Sequence, residues 1–135
     1  MPRLLLDTNA LLWLVTRHVN LGPKAHERCV AAFREEAIAV SAFSFLEIGT
    51  LRRKRRLTFD DGPLAWRRRV LELGIREVAM TGPIAVAAEM LEDFHGDPAD
   101  RVIVATARAE DATLLTSDRL IMGWRGELDR QYAVE

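Results

Sequence analysis

The feature that most constrains the fold is an alternation of short apolar runs with longer amphipathic segments. The short runs cover residues 3–6, 38–41, 76–80 and 113–116. Apolar runs of this length are typical of strands buried on both faces of a sheet. Because helical patterns separate them, the sequence predicts βαβ units and an α/β fold built around a parallel sheet.

Proline and acidic residues mark where several of these helices begin. Pro23 stands at the start of one amphipathic segment, and another follows Gly82 and Pro83. Asp97 is predicted to cap a helix whose first residue is Pro98, a position that tolerates the missing N–H. Residues 123–135 carry no clear pattern.

Composition limits the function classes. The chain has 135 residues, of which 49% are hydrophobic and 29% charged, so we expect one globular domain over residues 1–135. The net charge of -1 argues against nucleic-acid binding through overall basicity, although local basic patches remain open. The single cysteine, Cys29, excludes an internal disulfide and a cysteine metal cluster. No apolar run suits a signal peptide or membrane span, so a cytoplasmic location is expected.

Four carboxylates are predicted to meet at one edge of the sheet. Asp7 follows the first strand and Asp118 the last clear one, and the carboxyl ends of parallel strands share an edge. Glu47 lies early in the helix after the second strand, among apolar neighbours where a carboxylate is costly to desolvate. Asp100 lies in the first turn of the helix before the last clear strand.

Each acid also has a simpler interpretation, as a helix cap, a helix-dipole partner or a turn residue. Four such residues at one edge are improbable as caps alone. Clustered carboxylates repel unless a cation compensates them, and oxygen-only ligands favour Mg²⁺ or Mn²⁺. Such ions act on phosphate esters, so the pattern predicts metal-dependent phosphoryl transfer or phosphodiester cleavage.

Polar and basic residues around the acids supply further candidates. Hydroxyl and amide groups could orient the carboxylates, or could serve only in turns and caps: Thr8, Asn9, Thr116 and Ser117. Arg101 and Arg119, each beside a candidate ligand, are placed to contact a scissile phosphate.

The basic runs at 52–56 and 67–69 could hold a phosphate backbone or form solvated helix faces. The three histidines lack metal-binding spacing and are expected in surface or loop roles, with only His95 near the candidate site.

Four ordered motifs carry a resemblance to a known family: "LLLDTNALLWL", "SFLEIGTL", "GDPADRVIVATA" and "LLTSDRLI". Together they resemble the PIN-domain ribonucleases, and at this chain length the VapC toxins of bacterial toxin-antitoxin pairs. The likeness spans residues 3 to about 122. It implies a single PIN-like domain with a central parallel sheet of four to five strands and helices on both faces.

The resemblance also implies a site and partners. Asp7 and Asp100 resemble the main ligands for Mg²⁺ or Mn²⁺, Glu47 and Asp118 complete the pocket, and Asn9 and Thr116 match supporting positions. The implied reaction is RNA hydrolysis that leaves a 5′-phosphate and a 3′-hydroxyl. The implied partners are a second copy of the chain in a homodimer and a cognate VapB-like antitoxin.

Two alternatives stay open. A haloacid-dehalogenase-like phosphatase, like a response-regulator receiver, would have a second acid near Asp7 and a lysine near the later strands. This chain has Asn9 two residues after Asp7, and its lysines, Lys24 and Lys54, both lie in the first half. The other alternative is a PIN-like module without catalysis that only binds RNA or protein.

Overall fold

A computed structural model describes residues 3–59 and 61–135; residues 1, 2 and 60 of the predicted domain lie outside these ranges. Within them, five parallel strands form one sheet in the order β3-β2-β1-β4-β5. The strands are β1 (Arg3–Leu6), β2 (Ile38–Ser41), β3 (Arg76–Val78), β4 (Ala112–Thr116) and β5 (Arg130–Tyr132). The predicted α/β fold with a parallel sheet is therefore confirmed.

The strand boundaries agree closely with the apolar runs. The first two strands match residues 3–6 and 38–41, and the fourth begins one residue early, at Ala112. The third ends at Val78 and not at residue 80, because Thr81 already caps the next helix by accepting from the Ile84 N–H. The last strand, β5, has no apolar run and was not predicted.

Seven helices are described, and proline or a side-chain cap begins most of them. They are α1 (Thr8–Thr16), α2 (Pro23–Arg34), α3 (Ala42–Arg53), α4 (Pro63–Glu72), α5 (Gly82–Glu89), α6 (Pro98–Ala109) and α7 (Arg119–Met122). The predicted start of α6 is confirmed, since Asp97 accepts from the backbone N–H groups of Ala99 and Asp100. Its dipole-positive first turn carries Asp100.

Alternating residues of the strands serve two hydrophobic clusters. Leu4 and Leu6 of β1 pack with side chains from α1 to α4, whereas Leu5 packs with side chains from α5 to α7. This is the period-two alternation of a strand that is covered on both faces. Helices on both faces of the sheet are thus confirmed.

The strand order reverses between β1 and β4. From β1 the chain builds outward through β2 to β3 on one side, and later through β4 to β5 on the other. Ligands of open α/β sheets bind in the crevice outside the carboxyl ends of the strands at such a reversal. The topology therefore places a binding crevice beside Asp7 and Asp118.

Cys29 lies fully buried in the cluster beneath α2, and burial raises the pKa of its thiol to about 11. It therefore packs as a small neutral side chain. None of the helices in the described ranges has both the length and the apolar character needed to cross a membrane.

The interior position of β4, between β1 and β5, makes its apolar side chains strong determinants of stability. Leu114 is fully buried, so Leu114→Ala should lower the free energy of unfolding by about 2–5 kcal/mol, measured by urea denaturation. Leu64→Ala is the matched control, because that side chain is 70% exposed, and it should change stability by less than about 0.5 kcal/mol. Equal losses in the two variants would contradict the packing described above.

Candidate active site

The four predicted acids line one cavity of about 440 Å³ at the reversal of strand order. They arrive from four parts of the chain: the ends of β1 and β4, and the helices α3 and α6. Three of the predicted supporting residues, Thr8, Asn9 and Ser117, line the same cavity. Apolar side chains also contribute to its lining: Phe43, Leu46, Leu51 and Ile103. Sequence positions more than ninety residues apart therefore meet at one pocket.

Asp7 occupies the floor of the crevice and is only 6% exposed. Its Oδ1 accepts from the Ala10 N–H at 2.7 Å, and its Oδ2 accepts from the Ser117 N–H at 2.9 Å. Burial raises the pKa of this carboxyl, and the hydrogen bonds it accepts act in the opposite direction. Asp7 is thus the N-cap of α1 and also lines the pocket, so its role as a helix cap does not exclude a role in the site.

Glu47 lies in the second turn of α3 and is held by residues across the pocket. The Thr8 hydroxyl donates to its Oε1 and is also hydrogen bonded to the Ser44 hydroxyl at 2.9 Å. Burial raises the pKa of Glu47, and the nearby carboxylates of Asp97 and Asp7 raise it further. Ser44, which the sequence analysis missed, is fully buried and lies three residues before Glu47 on the same helix.

Asp100 and Asp118 lie close together, and a histidine side chain lies near both. His95 Nε2 lies 2.7 Å from Asp100 Oδ2 and 4.0 Å from Asp118 Oδ2. Burial raises the pKa of Asp100 to about 7, Asp118 adds to that effect, and the hydrogen bond with His95 opposes it. One ligand atom from each of these three side chains lies within 4.8 Å of the others.

The expected loop position of His95 is correct, and its imidazole lies against Asp100, one of the acids that line the cavity. It lies in the turn before α6, five residues ahead of Asp100. The signal that could have identified it is the compact stretch "HGDPAD", in which a helix start forces the chain to fold back over its own first turn.

The hydroxyl and amide residues connect the start of α1 to the loop after β4. Asn9 Nδ2 donates to Ser117 Oγ at 3.1 Å, which links the start of α1 to the loop after β4. The fully buried Thr116 accepts from the Asp118 N–H at 3.0 Å, and its nearby hydroxyl acts to lower the pKa of Asp7. Asp118 itself caps α7 by accepting from the Leu120 N–H at 2.7 Å. These contacts fix where two of the acids lie.

The contacts of Arg101 do not support the expectation that this residue binds substrate. Its guanidinium donates to the backbone carbonyls of Ala88 at 3.0 Å, Phe94 at 2.9 Å and His95 at 3.0 Å. The guanidinium is therefore engaged in holding the segment between α5 and α6 and does not face a substrate. Arg119, by contrast, is exposed beside Asp118, with its Nε 3.3 Å from the Tyr132 hydroxyl.

The two basic runs differ in their contacts. In the run at 67–69, Arg67 forms a two-point ion pair with Glu77 at 2.7 and 2.8 Å, and Arg69 pairs with Asp61. The run at 52–56 begins at the end of α3, the helix that carries Glu47, and its residues 52–56 are exposed. Of the two basic runs, only the one at 52–56 continues from a helix that lines the pocket.

The donor set of the pocket fits a divalent cation. Three of its four carboxyls have raised pKa values, and among the described residues that line the cavity none is a lysine or arginine. A bound cation would supply the missing positive charge and favour the ionised carboxylates. The ligand atoms are carboxylate oxygens with one imidazole nitrogen beside them, a set suited to Mg²⁺ or Mn²⁺.

Comparison with known proteins agrees with this architecture. The family model described as PIN domain matches residues 4–121. Ribonuclease VapC22 of Mycobacterium tuberculosis is 32% identical over 126 residues, which cover 93% of this chain and 94% of that protein.

Two solved structures share the fold at low sequence identity. The toxin-antitoxin complex from Klebsiella pneumoniae aligns with a TM-score of 0.63 and 19% identity, covering 96% of each chain. VapBC2 from Rickettsia felis, bound to a promoter DNA fragment, aligns with a TM-score of 0.65 and 15% identity, covering 95% of this chain and 96% of that one.

The raised pKa of Asp100 predicts a pH-dependent stability. Its pKa is about 7 in the folded chain, against an ordinary value of 3.8, so between these pH values the folded state keeps a proton that the unfolded state has lost. The free energy of unfolding therefore falls as pH rises through this window. In chelator, Asp100→Asn should be more stable than the parent at pH 8, and its advantage should shrink as the pH falls to 4, measured by thermal unfolding.

The matched control for this series is Asp111→Asn, at an exposed position with a φ of 52° that asparagine adopts readily. Its stability relative to the parent should not follow the same pH course. A constant difference between Asp100→Asn and the parent from pH 4 to 8 would contradict the assigned burial effect.

Proposed function

The chain belongs to the PIN domain family, and from that premise we propose that it is a metal-dependent endoribonuclease that acts as the toxin of a toxin-antitoxin pair. The observation that carries the proposal is the convergence of Asp7, Glu47, Asp100 and Asp118 on one cavity at the reversal of strand order. The 32% identity with Ribonuclease VapC22 along almost the whole chain supports RNA as the substrate.

In this proposal the four carboxylates hold one or two divalent cations, Mg²⁺ or Mn²⁺. A bound cation lowers the pKa of water and stabilises negative charge on a phosphate that undergoes in-line displacement. Asp7 offers a fixed carboxylate, because two backbone N–H groups already orient its oxygens. Preorganised ligands of this kind need little rearrangement during the reaction.

Glu47 is our candidate for proton transfer. Its Oε1 accepts from Thr8, and we assign the proton of the attacking water to Oε2. Burial raises its pKa, which makes it a better proton acceptor than an exposed glutamate. The scissile bond would be that to the 3′-oxygen, so that cleavage leaves a 5′-phosphate and a 3′-hydroxyl.

Substrate binding is assigned to basic side chains at the mouth of the pocket. Arg119 projects from the start of α7 beside Asp118, and the exposed run at 52–56 continues from α3. Contacts of this kind to phosphates supply affinity without reading the sequence of the RNA. They would hold the strand across an otherwise acidic cavity.

We also propose a protein partner and self-association. Apolar side chains are exposed at three places: Leu46 beside the pocket is 60% exposed, Val86 on α5 is 60% exposed, and Met90, directly after α5, is 72% exposed. Exposed apolar groups of this kind are suited to a second copy of the chain and to a VapB-like antitoxin. The fold shared with a toxin-antitoxin complex and with VapBC2 supports the antitoxin as partner.

Removing the Asp7 carboxylate tests the catalytic proposal. Asp7→Asn keeps the shape of the residue but removes its charge, so cleavage of total cellular RNA with Mg²⁺ or Mn²⁺ should fall by at least about a hundredfold. Mapping of new 5′ ends measures the loss, and chelator should abolish cleavage by the parent. Expression of the variant should no longer inhibit growth, while binding to the cognate antitoxin should be kept.

Asp111→Asn is again the matched control, since this acid lies before β4, at the edge of the sheet away from the pocket, and should leave cleavage unchanged. If Asp7→Asn were as toxic as the parent, the catalytic proposal would fail. A parent that binds RNA but yields no new 5′ ends would instead indicate a module that only binds.

The assignment of Arg119 to the RNA backbone is tested by salt dependence. In the Asp7→Asn background, Arg119→Ala should weaken RNA binding and reduce the slope of log affinity against log salt by about 0.7, the value for one phosphate of a single strand. Fluorescence anisotropy at several salt concentrations gives both quantities. Arg34→Ala, an exposed arginine at the end of α2, should leave the slope unchanged, and an unchanged slope for Arg119→Ala would refute the assignment.

A further inference from the structure

We propose that Nε2 of His95 is a ligand of a divalent cation shared with Asp100 and Asp118, and that this nitrogen makes the pocket prefer Mn²⁺ to Mg²⁺. The inference rests on the metal dependence proposed above and adds to it a residue that the acidic motifs do not contain. It begins from the place of the imidazole among the carboxylates.

The distances suit ligands of one ion. With metal–ligand distances of about 2.1 Å, adjacent ligands of an octahedral ion lie about 3 Å apart and opposite ones about 4.2 Å apart. His95 Nε2 lies 2.7 Å from Asp100 Oδ2 and 4.0 Å from Asp118 Oδ2. A small opening of the first pair would admit an ion against all three side chains.

The ring of His95 is held in this position by its surroundings. Phe94 stacks against it, with ring centroids 4.3 Å apart and planes 24° from parallel. Arg101 fixes the backbone of both residues by donating to the carbonyls of His95 at 3.0 Å and Phe94 at 2.9 Å. The side chain of His95 is 24% exposed, so it is restrained without being sealed from solvent.

A nitrogen ligand changes which ion the pocket prefers. Mg²⁺ is a hard ion that binds oxygen and keeps several of its waters, whereas imidazole ligands suit transition metals better. A pocket with carboxylates alone would distinguish the two ions weakly. Adding the His95 nitrogen should therefore raise the affinity for Mn²⁺ more than that for Mg²⁺.

The other role open to His95 is to orient Asp100 through a hydrogen bond alone. His95→Gln separates the two roles, because a glutamine amide can still donate to Asp100 but does not replace an imidazole nitrogen as a ligand. His26→Gln is the matched control, since His26 is exposed on α2. Thermal unfolding of the metal-free variants checks that each is folded.

The experiment measures Mn²⁺ binding by electron paramagnetic resonance on the full chain, with Mg²⁺ added as competitor. In the parent and in His26→Gln, the electron spin-echo modulation of bound Mn²⁺ should contain the nitrogen coupling of a coordinated imidazole. In His95→Gln the coupling should disappear and the Mn²⁺ dissociation constant should rise about tenfold or more. The Mg²⁺ dissociation constant should change by a smaller factor.

Bound Mn²⁺ without imidazole coupling in the parent would overturn the proposal, as would an unchanged Mn²⁺ affinity in His95→Gln. If His95→Gln does not fold, the spectrum of the parent decides alone. A parent that cleaves RNA with either ion but shows no nitrogen coupling refutes only the role of His95. A parent that binds no divalent ion and cleaves no RNA refutes the proposed function as well.

Discussion

The rest of the site depends on the hydrogen bonds that hold the buried residue Asp7. Its backbone N–H donates to the Leu115 carbonyl at 2.9 Å, and its two oxygens accept from Ala10 and Ser117. One residue thus joins β1, the start of α1 and the loop after β4. A buried carboxylate is costly unless it is paired, and neutral hydrogen bonds offset only part of that cost. The same residue that organises the crevice therefore also favours a cation within it.

Convergence of the other acids follows from how the helices cross the ends of the strands. The helix α3 follows β2 and packs against α6, which precedes β4, so Glu47 and Asp100 reach the crevice from two neighbouring helices. Apolar side chains such as Phe43 and Ile103 line the pocket between them. Such walls limit hydration, which raises the carboxyl pKa values and strengthens any interaction with a cation.

Much of this was predictable from the sequence, and the exceptions have physical causes. The three interior strands, β1, β2 and β4, are almost wholly buried and so appear as apolar runs. By contrast, β5 has three half-buried residues at the edge of the sheet, Arg130–Tyr132, and no such pattern. The positions of Asp7 and Asp118 were predictable because each lies within two residues of the end of a strand with a clear apolar run. The direction of the Arg101 side chain was not predictable in this way, because neighbouring helical residues point about 100° apart. Next to Asp100 in sequence, it nevertheless faces the turn before α6.

That turn links the pocket to the hydrophobic cluster beneath α5 and α6. Phe94 is buried against Trp124, with ring centroids 5.3 Å apart, and the Trp124 indole N–H donates to the Glu92 carbonyl at 2.9 Å. His95 follows Phe94 directly, so the position of its ring is set by core packing as well as by Asp100. Close-packed interiors transmit small displacements to their neighbours. The imidazole beside Asp100 is therefore restrained by the aromatic packing behind it, although the residue itself lies in a loop.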